Sequence, residues 1–450
     1  MICEIHRPNE IEEAYDQDNT RLMHVDILEL KLFAAIFDNS EQYKEARIPS
    51  LKDSSLLNVL RGFQKCTTHV FDLKEKAFGT TMWSETDSVE SGLIVTDSHF
   101  PENGYDSIIT GPLIGLSNPV YQSAKRVCDT HRAFDNVDLT AIPEEFFTRC
   151  KYRPAMTKEE FNQLVPKLNW GTSYADTYKI LLRRRLGQNQ ERTLLSAIFT
   201  PGVTHVNTVT GVTFQNLKDL VLLQGQLSSL IFDGYIKILK KDDLYFEGVS
   251  KMPLLYESEQ ATDIIIRTLM LNCLTKQYAQ LWNSCVDSDA EYVHWAKKDA
   301  RLQDSAFTNS SWSYASACRG DFQRRQLQVE IDVLVAMAMG ISLSILKNLY
   351  RIQFPVMQDY EVDTWYDANG RIAFTTNRSL SGVGFSRTEF ENGMKTAPAG
   401  TVFKRTISDD TMPGGPVERT IEYVAPFDRC DREQDYETAW KFFEEKYKEV

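Results

Sequence analysis

Long apolar runs are missing from this 450-residue chain. No stretch approaches the roughly 20 residues that a membrane-crossing helix needs, and the opening "MICEIHRPNEIEE" lacks the apolar core of a signal peptide. Cysteine is present but dispersed: Cys3, Cys66, Cys128, Cys150, Cys273, Cys285, Cys318 and Cys430 include no CxxC pair. That spacing argues against a zinc site or a disulfide framework and fits a reducing compartment. The seven histidines show neither HxxxH nor HxH spacing, so nothing asks for a metal. A cytoplasmic protein with no membrane contact is expected.

Excess positive charge is lacking too. The formal net charge is −13, which argues against indiscriminate nucleic-acid binding, because affinity for polyphosphate is largely electrostatic. The charge is uneven, however. Residues 101–258 carry 18 Lys and Arg against 17 Asp and Glu, leaving the rest of the chain at −14. A near-neutral middle between acidic flanks has room for a local basic face.

What is present divides into four stretches. Residues 1–100 are mixed, and "VDILELKLFAAIF" and "SSLLNVLRGF" carry helical periodicity. Over 101–258 short apolar runs are separated by Gly, Pro and Asn. There "YKILLRRRL" (Tyr178–Leu186), "GQNQ" and "RTLLSAIFT" (Arg192–Thr200) predict two strands joined by a turn. "GVTHVNTVTGVTF" is a further β-rich run, and Asn216 is placed to cap one long helix, "LKDLVLLQGQLSSLIFDGYIKILK". Over 259–355 the pattern is helical, with Gly340 where a C-terminal cap belongs and Ser342 able to start the next helix. Over 356–450, "DTWYDANGRIAFTT" predicts a hairpin turning at Asn369-Gly370, "TAPAGTVFKRTISDDTMPGGPVERT" a loop, and "YETAWKFFEEKYKEV" a short helix.

Alternation along the first strand puts Lys179, Leu181, Arg183 and Arg185 on one face, with Arg184 among Tyr178, Ile180, Leu182 and Leu186 on the other. Arg192 begins the expected partner strand. Four cations on one surface of the hairpin (Lys179, Arg183, Arg185 and Arg192), with only Glu191 nearby, make a candidate surface for a phosphate backbone, against the bland alternative of a solvated charged face.

Other candidates are weaker. "NPVY" (Asn118–Tyr121) looks like the Asn-Pro-Pro-Tyr/Phe tetrapeptide with which amino-methylating DNA enzymes hold an extruded base. Its second Pro is Val, and no Gly-rich turn upstream supplies a seat for S-adenosylmethionine. Gly382-Val383-Gly384 follows the hairpin region and is too short a pattern to serve. A plain Asn-Pro turn is the better reading. The closely spaced acids of "TWYD" and "FDRCDREQDYETAWK" suit a helix start better than a nuclease metal site. Cys128, Cys150 and His131 lack an activating arrangement.

At Leu195–Leu255 the chain resembles a known family. "ERTLLSAIFTPGVTHVNTVTGVTF", "LLQGQLSSLIFDGYIKI" and "LYFEGVSKMPLL" resemble the closing half of the target-recognition domain of DNA methyltransferases, as in type I specificity subunits and type IIG enzymes. "GPLIGLSNPVY", "VDLTAIPEEFF", "TRCKYRPAM" and "RQLQVEIDVLVAMAMGISLSILKNLYRIQFPVMQDYEVDTWYDANGRIAFT" are similar to the large adenine-N6 methyltransferases of restriction–modification and phage defence (type IIG, BREX- and DISARM-like). The resemblance spans about residues 60–450 and lacks the methylase core. It implies an α+β fold: a target-recognition domain at 101–258 with a mixed or antiparallel sheet, on which 1–100 packs, then a helical spacer at 259–355 and a small C-terminal hairpin unit at 356–450. It also implies a C-terminal piece, split subunit or remnant that recognises double-stranded DNA for a methylase core on the same or a separate chain. Any S-adenosylmethionine would be held by that core. The expected DNA contacts are Lys179, Arg183, Arg184, Arg185 and Arg192. The rival expectation is a structural or protein-interaction subunit of a defence complex that does not touch DNA.

Overall fold

The computed structural model describes residues 25–448 apart from 39, 50, 52, 131, 288–293, 303–310 and 381. Helix and strand are both substantial, at 43% and 18%, and the sheets are antiparallel and mixed, as an α+β chain requires. Among the described residues no helix is long and apolar enough to cross a membrane. The strands in chain order are β1 (Ala77–Thr80), β2 (Ile94–His99), β3 (Ile108–Ile109), β4 (Gln122–Ala124), β5 (Phe134–Asn136), β6 (Cys150–Pro154) and β7 (Lys179–Arg183). They continue as β8 (Ser196–Phe199), β9 (Thr204–His205), β10 (Val209–Phe214), β11 (Trp365–Tyr366), β12 (Ile372–Phe374), β13 (Val402–Asp409) and β14 (Val417–Val424).

The expected hairpin forms: β7 runs antiparallel to β8 with Ile180 opposite Ile198, inside a sheet ordered β1-β10-β7-β8. The two-residue period also holds. Ile180 and Leu182 enter the large core, whereas Leu181 joins a second cluster with Ile109, Ile114, Phe199 and Val203. Both faces of β7 are therefore covered, as in a central strand. A second four-stranded sheet, β2-β6-β3-β9, is mixed because β3 pairs parallel to β9.

Asn216 caps the following helix by accepting from the Lys218 and Asp219 amides, but the helix is two helices, Leu217–Ser228 and Leu230–Leu239. The Ser228-Ser229 pair explains the break. Ser229 turns extended (ψ 152°) and its hydroxyl accepts from the Phe232 amide, while the Leu230 amide donates to Asp332 at 2.6 Å. Small hydroxyl residues offer the backbone this alternative to continuous helix.

Those helices pack on Ala261–Asn272 and Asp321–Ala338, and the Arg432–Lys448 helix closes the layer. The layer buries an ionic network. Arg432 reaches Asp332 (3.0 Å) and Glu361 (2.9 Å), and Arg325 reaches Glu361 (3.1 Å) and Asp435 (2.6 Å). Burial pushes the Glu361 carboxyl up, yet Arg432 and Arg325 outweigh it and hold it down at about 2. Gly340 takes φ +63° after Ala338, and Ser342 precedes Leu343–Gln353, as the sequence predicts.

The Asn369-Gly370 hairpin is present as β11–β12, with Gly370 at φ +84°. The segment expected to be a loop from Thr396 to Thr420 is instead mostly the β13–β14 ribbon, eight residue pairs long, from Val402↔Val424 to Asp409↔Val417. Its Pro413–Pro416 punctuation forms only the tip. "VFKRTISD" alternates exposed and half-buried side chains, the pattern of a strand packed on one face.

Segments on either side of residues 101 and 356 pack together. β1 and β2 lie before residue 101, yet each is an edge strand of a sheet built mainly from later residues. The ribbon tip returns to the middle of the chain: Asp410 binds Arg126 (3.0 Å) and Arg149 (3.2 Å), and Asp138 binds Arg371 (3.3 Å) and Arg419 (3.0 Å).

Candidate nucleic-acid interface

The sheet buries part of the expected basic face. Lys179 shares a face with Leu181 and Arg183, but that face is packed, and Lys179 is fully buried. Its ammonium donates to the carbonyls of Ala175 (3.2 Å) and Val203 (3.0 Å) and lies 5.0 Å from the Tyr174 ring. Burial pushes its pKa down to about 7, with Asp176 pulling slightly the other way. Arg192 is interior as well, and it precedes β8 instead of beginning it. Its guanidinium binds Asp233 at 2.6 Å and the Ser228 carbonyl at 2.7 Å, and Asp233 also accepts from the Thr193 and Leu194 amides. This pairing ties the β7–β8 connection to the second helix. Arg183 turns inward to the Ile114 carbonyl (2.9 Å), with the Tyr121 ring 5.7 Å from its guanidinium. Lys179 and Arg192 are thus corrected from surface to interior cations, and Arg183 to a half-buried brace.

Arg184 and Arg185 lie nearer the surface, with the Arg184 side chain only 25% exposed. Arg185 is 78% exposed, and both guanidiniums lie beside Asp243, at 3.3 Å for Arg184 and 3.4 Å for Arg185. The two arginines join a second loop, which their own stretch of sequence does not signal. Leu186 N–H donates to Asp242 O, Leu244 N–H to Arg184 O, and the Gln188 amide to Lys241 O at 2.6 Å. The 184–190 loop is thereby laid along the 240–245 loop. Lys240 ends the Leu230–Leu239 helix in a left-handed conformation (φ 50°) and, like Lys241, is exposed. Partial desolvation of its ammonium lowers the Lys241 pKa even so, and Lys251 and Arg47 lower it further, with Glu247 opposing. Six cations (Arg47, Arg184, Arg185, Lys240, Lys241, Lys251) thus gather around three carboxylates (Asp242, Asp243, Glu247) on one rim.

Side chains suited to base edges sit on the same rim. Asn189 and Gln190 are exposed, and Tyr245 is 48% exposed with Arg184 5.5 Å from its ring. Amide, hydroxyl and cationic groups are the side-chain types with which DNA-binding proteins in general meet phosphates and base edges. The adjacent "KKDD" at 240–243 was the available signal, but only the fold brings it beside Arg184 and Arg185.

Asn118–Tyr121 is a turn. The Asn118 side chain accepts from the Val120 amide at 3.1 Å, the Asn118 carbonyl accepts from Gly115, and Pro119 and Val120 are buried. Pro119 and Val120 line only a narrow crevice with Phe199 and Tyr278. The Tyr121 hydroxyl donates to Ser379 O at 3.0 Å. In the acidic C-terminal stretch, Asp431 accepts from the Glu433 and Gln434 amides, Asp435 pairs with Arg325 and Lys297, and Glu433 pairs with Arg351 and Lys347. These carboxylates start and pin a helix. Cys128 and Cys150 are buried, and burial raises both thiols, Cys150 to about 12. His131 lies outside the described residues.

No protein-family model matches this chain, and no curated protein matches its sequence.

Proposed function

We propose that this chain binds double-stranded DNA and directs site-specific adenine-N6 methylation by a methylase core on the same or a separate chain, in restriction–modification or phage defence. The single observation that carries the DNA contact is the rim where Arg184 and Arg185 meet Lys240, Lys241, Lys251 and Arg47. Its local excess of positive charge stands against the chain's net −13, and a local patch suffices to attract a polyanion. The resemblance of 195–255 to a target-recognition domain supports the rest of the reading. In that reading 101–258 is the recognition domain, 259–355 a helical spacer bracing it, and 356–450 a C-terminal hairpin unit. Backbone contacts from the rim set register, and Gln188, Asn189, Gln190 and Tyr245 are the groups nearest to base edges. S-adenosylmethionine belongs to the methylase core.

Titration of the full chain with duplex DNA at about 50 and 200 mM salt tests this. Six phosphate contacts would weaken binding by about a thousandfold between the two conditions. No measurable duplex binding at the lower salt would leave the rival, a protein-interaction subunit, as the better account.

A further inference from the structure

At the far end of the first sheet lies an open surface groove of about 600 Å³. Lys76 and Gln215 face each other across the end of the β1–β10 ladder, where the Gln215 amide donates to Lys76 O at 2.9 Å. The opposite wall is the tip of a tight turn. Leu168 N–H donates to Thr172 O and Gly171 N–H to Leu168 O, with Gly171 at φ +88°, and this presents Asn169 and a half-exposed Trp170 to the groove. Lys74 completes the lining at φ 51°, ψ −124°, a backbone conformation that side-chain-bearing residues rarely adopt. Such outliers concentrate at binding sites. Among the described residues no side-chain hydrogen bond engages Lys74, Asn169, Trp170 or Gln215.

A partly exposed indole packed on Leu168 and Tyr174, two amides and two ammonium groups line one opening, the kinds of group that meet the parts of a nucleotide. A base stacks on an aromatic ring, amides pair with its polar edge, and lysines meet phosphate. We propose that this groove binds one nucleotide with an unpaired base, stacked on Trp170, edge-paired by Asn169 and Gln215, with its phosphate at Lys74 and Lys76. Asp72 and Glu75 also line the groove and Asp219 lies within electrostatic reach of Lys76, so the carboxylates offset the two lysines, stacking must supply most of the affinity and binding must respond weakly to salt. The source is either a free nucleotide or an unpaired residue within a strand.

Calorimetric titration of the full chain with AMP and with a single-stranded oligo(dA) tests the proposal, with Trp170→Ala, Trp170→Phe and Lys74→Gln/Lys76→Gln as variants. Saturable AMP binding that Trp170→Ala weakens about tenfold or more, and Trp170→Phe largely keeps, assigns the groove to free nucleotide. The same pattern with the oligonucleotide alone assigns it to a strand. Thermal melting identifies a variant that fails to fold, and the Trp170→Phe and lysine variants then decide. Absence of saturable binding to either probe, or binding that these folded variants leave unchanged, overturns the proposal.

Discussion

Replacing Lys179 by Met separates an interior lysine from a DNA-facing one by the sign of a pH dependence. In the folded chain Lys179 is fully buried and its pKa falls from 10.5 to about 7, chiefly through burial. The unfolded chain keeps the ordinary value. Between those two pH values the unfolded state binds a proton that the folded state does not, so the parent gains stability as pH rises. The gap corresponds to about 4–5 kcal/mol of penalty on the folded state near pH 7, lost at about 1.4 kcal/mol per pH unit between about pH 7.5 and 10. Met removes the penalty but also two donors. Ala175 O keeps the Gly202 amide, whereas Val203 O loses its Lys179 partner, at a cost of about 1–3 kcal/mol. The variant should therefore be more stable than the parent near pH 7 and less stable near pH 10. Urea unfolding of both proteins at several pH values measures the difference, in which other titrating groups cancel. A difference independent of pH would mean that Lys179 is solvated. A difference of opposite slope would mean that it is ion-paired with a raised pKa, and either result refutes the reasoning.

Further predictions concern packing and buried charge. Tyr121 packs against Gly115, donates to Ser379 O and lies near Arg183, so Tyr121→Ala should cost about 3 kcal/mol in unfolding free energy. Any loss of DNA binding should then track the unfolded fraction, and lost binding in a variant that melts like the parent would contradict the turn assignment. Asp332 accepts from the Leu230 amide, Arg432 and Tyr436 in the interior, so Asp332→Ala should destabilise by about 3–5 kcal/mol. A loss below about 1 kcal/mol in chemical denaturation would show that the ionic network is not a unit. A methyl group on Gly211 would lie 1.9 Å from the Tyr174 hydroxyl and 2.4 Å from His205 Nε2, so Gly211→Ala should lower the melting temperature sharply, and an unchanged value would contradict that packing.

Local chemistry was legible in the sequence. Asn216 as a cap, the turn at Asn369-Gly370, Gly340 after a helix and the β7–β8 pairing all depend on residues a few positions apart. The two-residue period also assigned Lys179, Leu181 and Arg183 to one face correctly. It could not say whether that face was covered, because the cover comes from Ile109, Ile114 and Val203, on other segments. The β13–β14 ribbon was hidden for another reason: Pro and Gly at its tip made the β-branched runs on either side look irregular. Arg267, Arg325, Arg432 and Asp332 look like the solvated charges of amphipathic helices. They are buried because the partner carboxylates and cations come from helices far away in the chain. The basic rim was half legible, since Arg184 and Arg185 were visible and their union with Lys240 and Lys241 depends on the fold.

The most direct measurement of the rim's role is the salt dependence of duplex binding by an Arg185→Ala/Lys241→Ala variant beside the parent. Each lost phosphate contact lowers the slope of log affinity against log salt by about 0.9, so the account predicts a slope flatter by about two units. Cognate and non-cognate duplexes should weaken about equally, because backbone contacts carry no sequence information. An unchanged affinity and slope in a variant that folds like the parent would contradict the assignment of this rim to DNA.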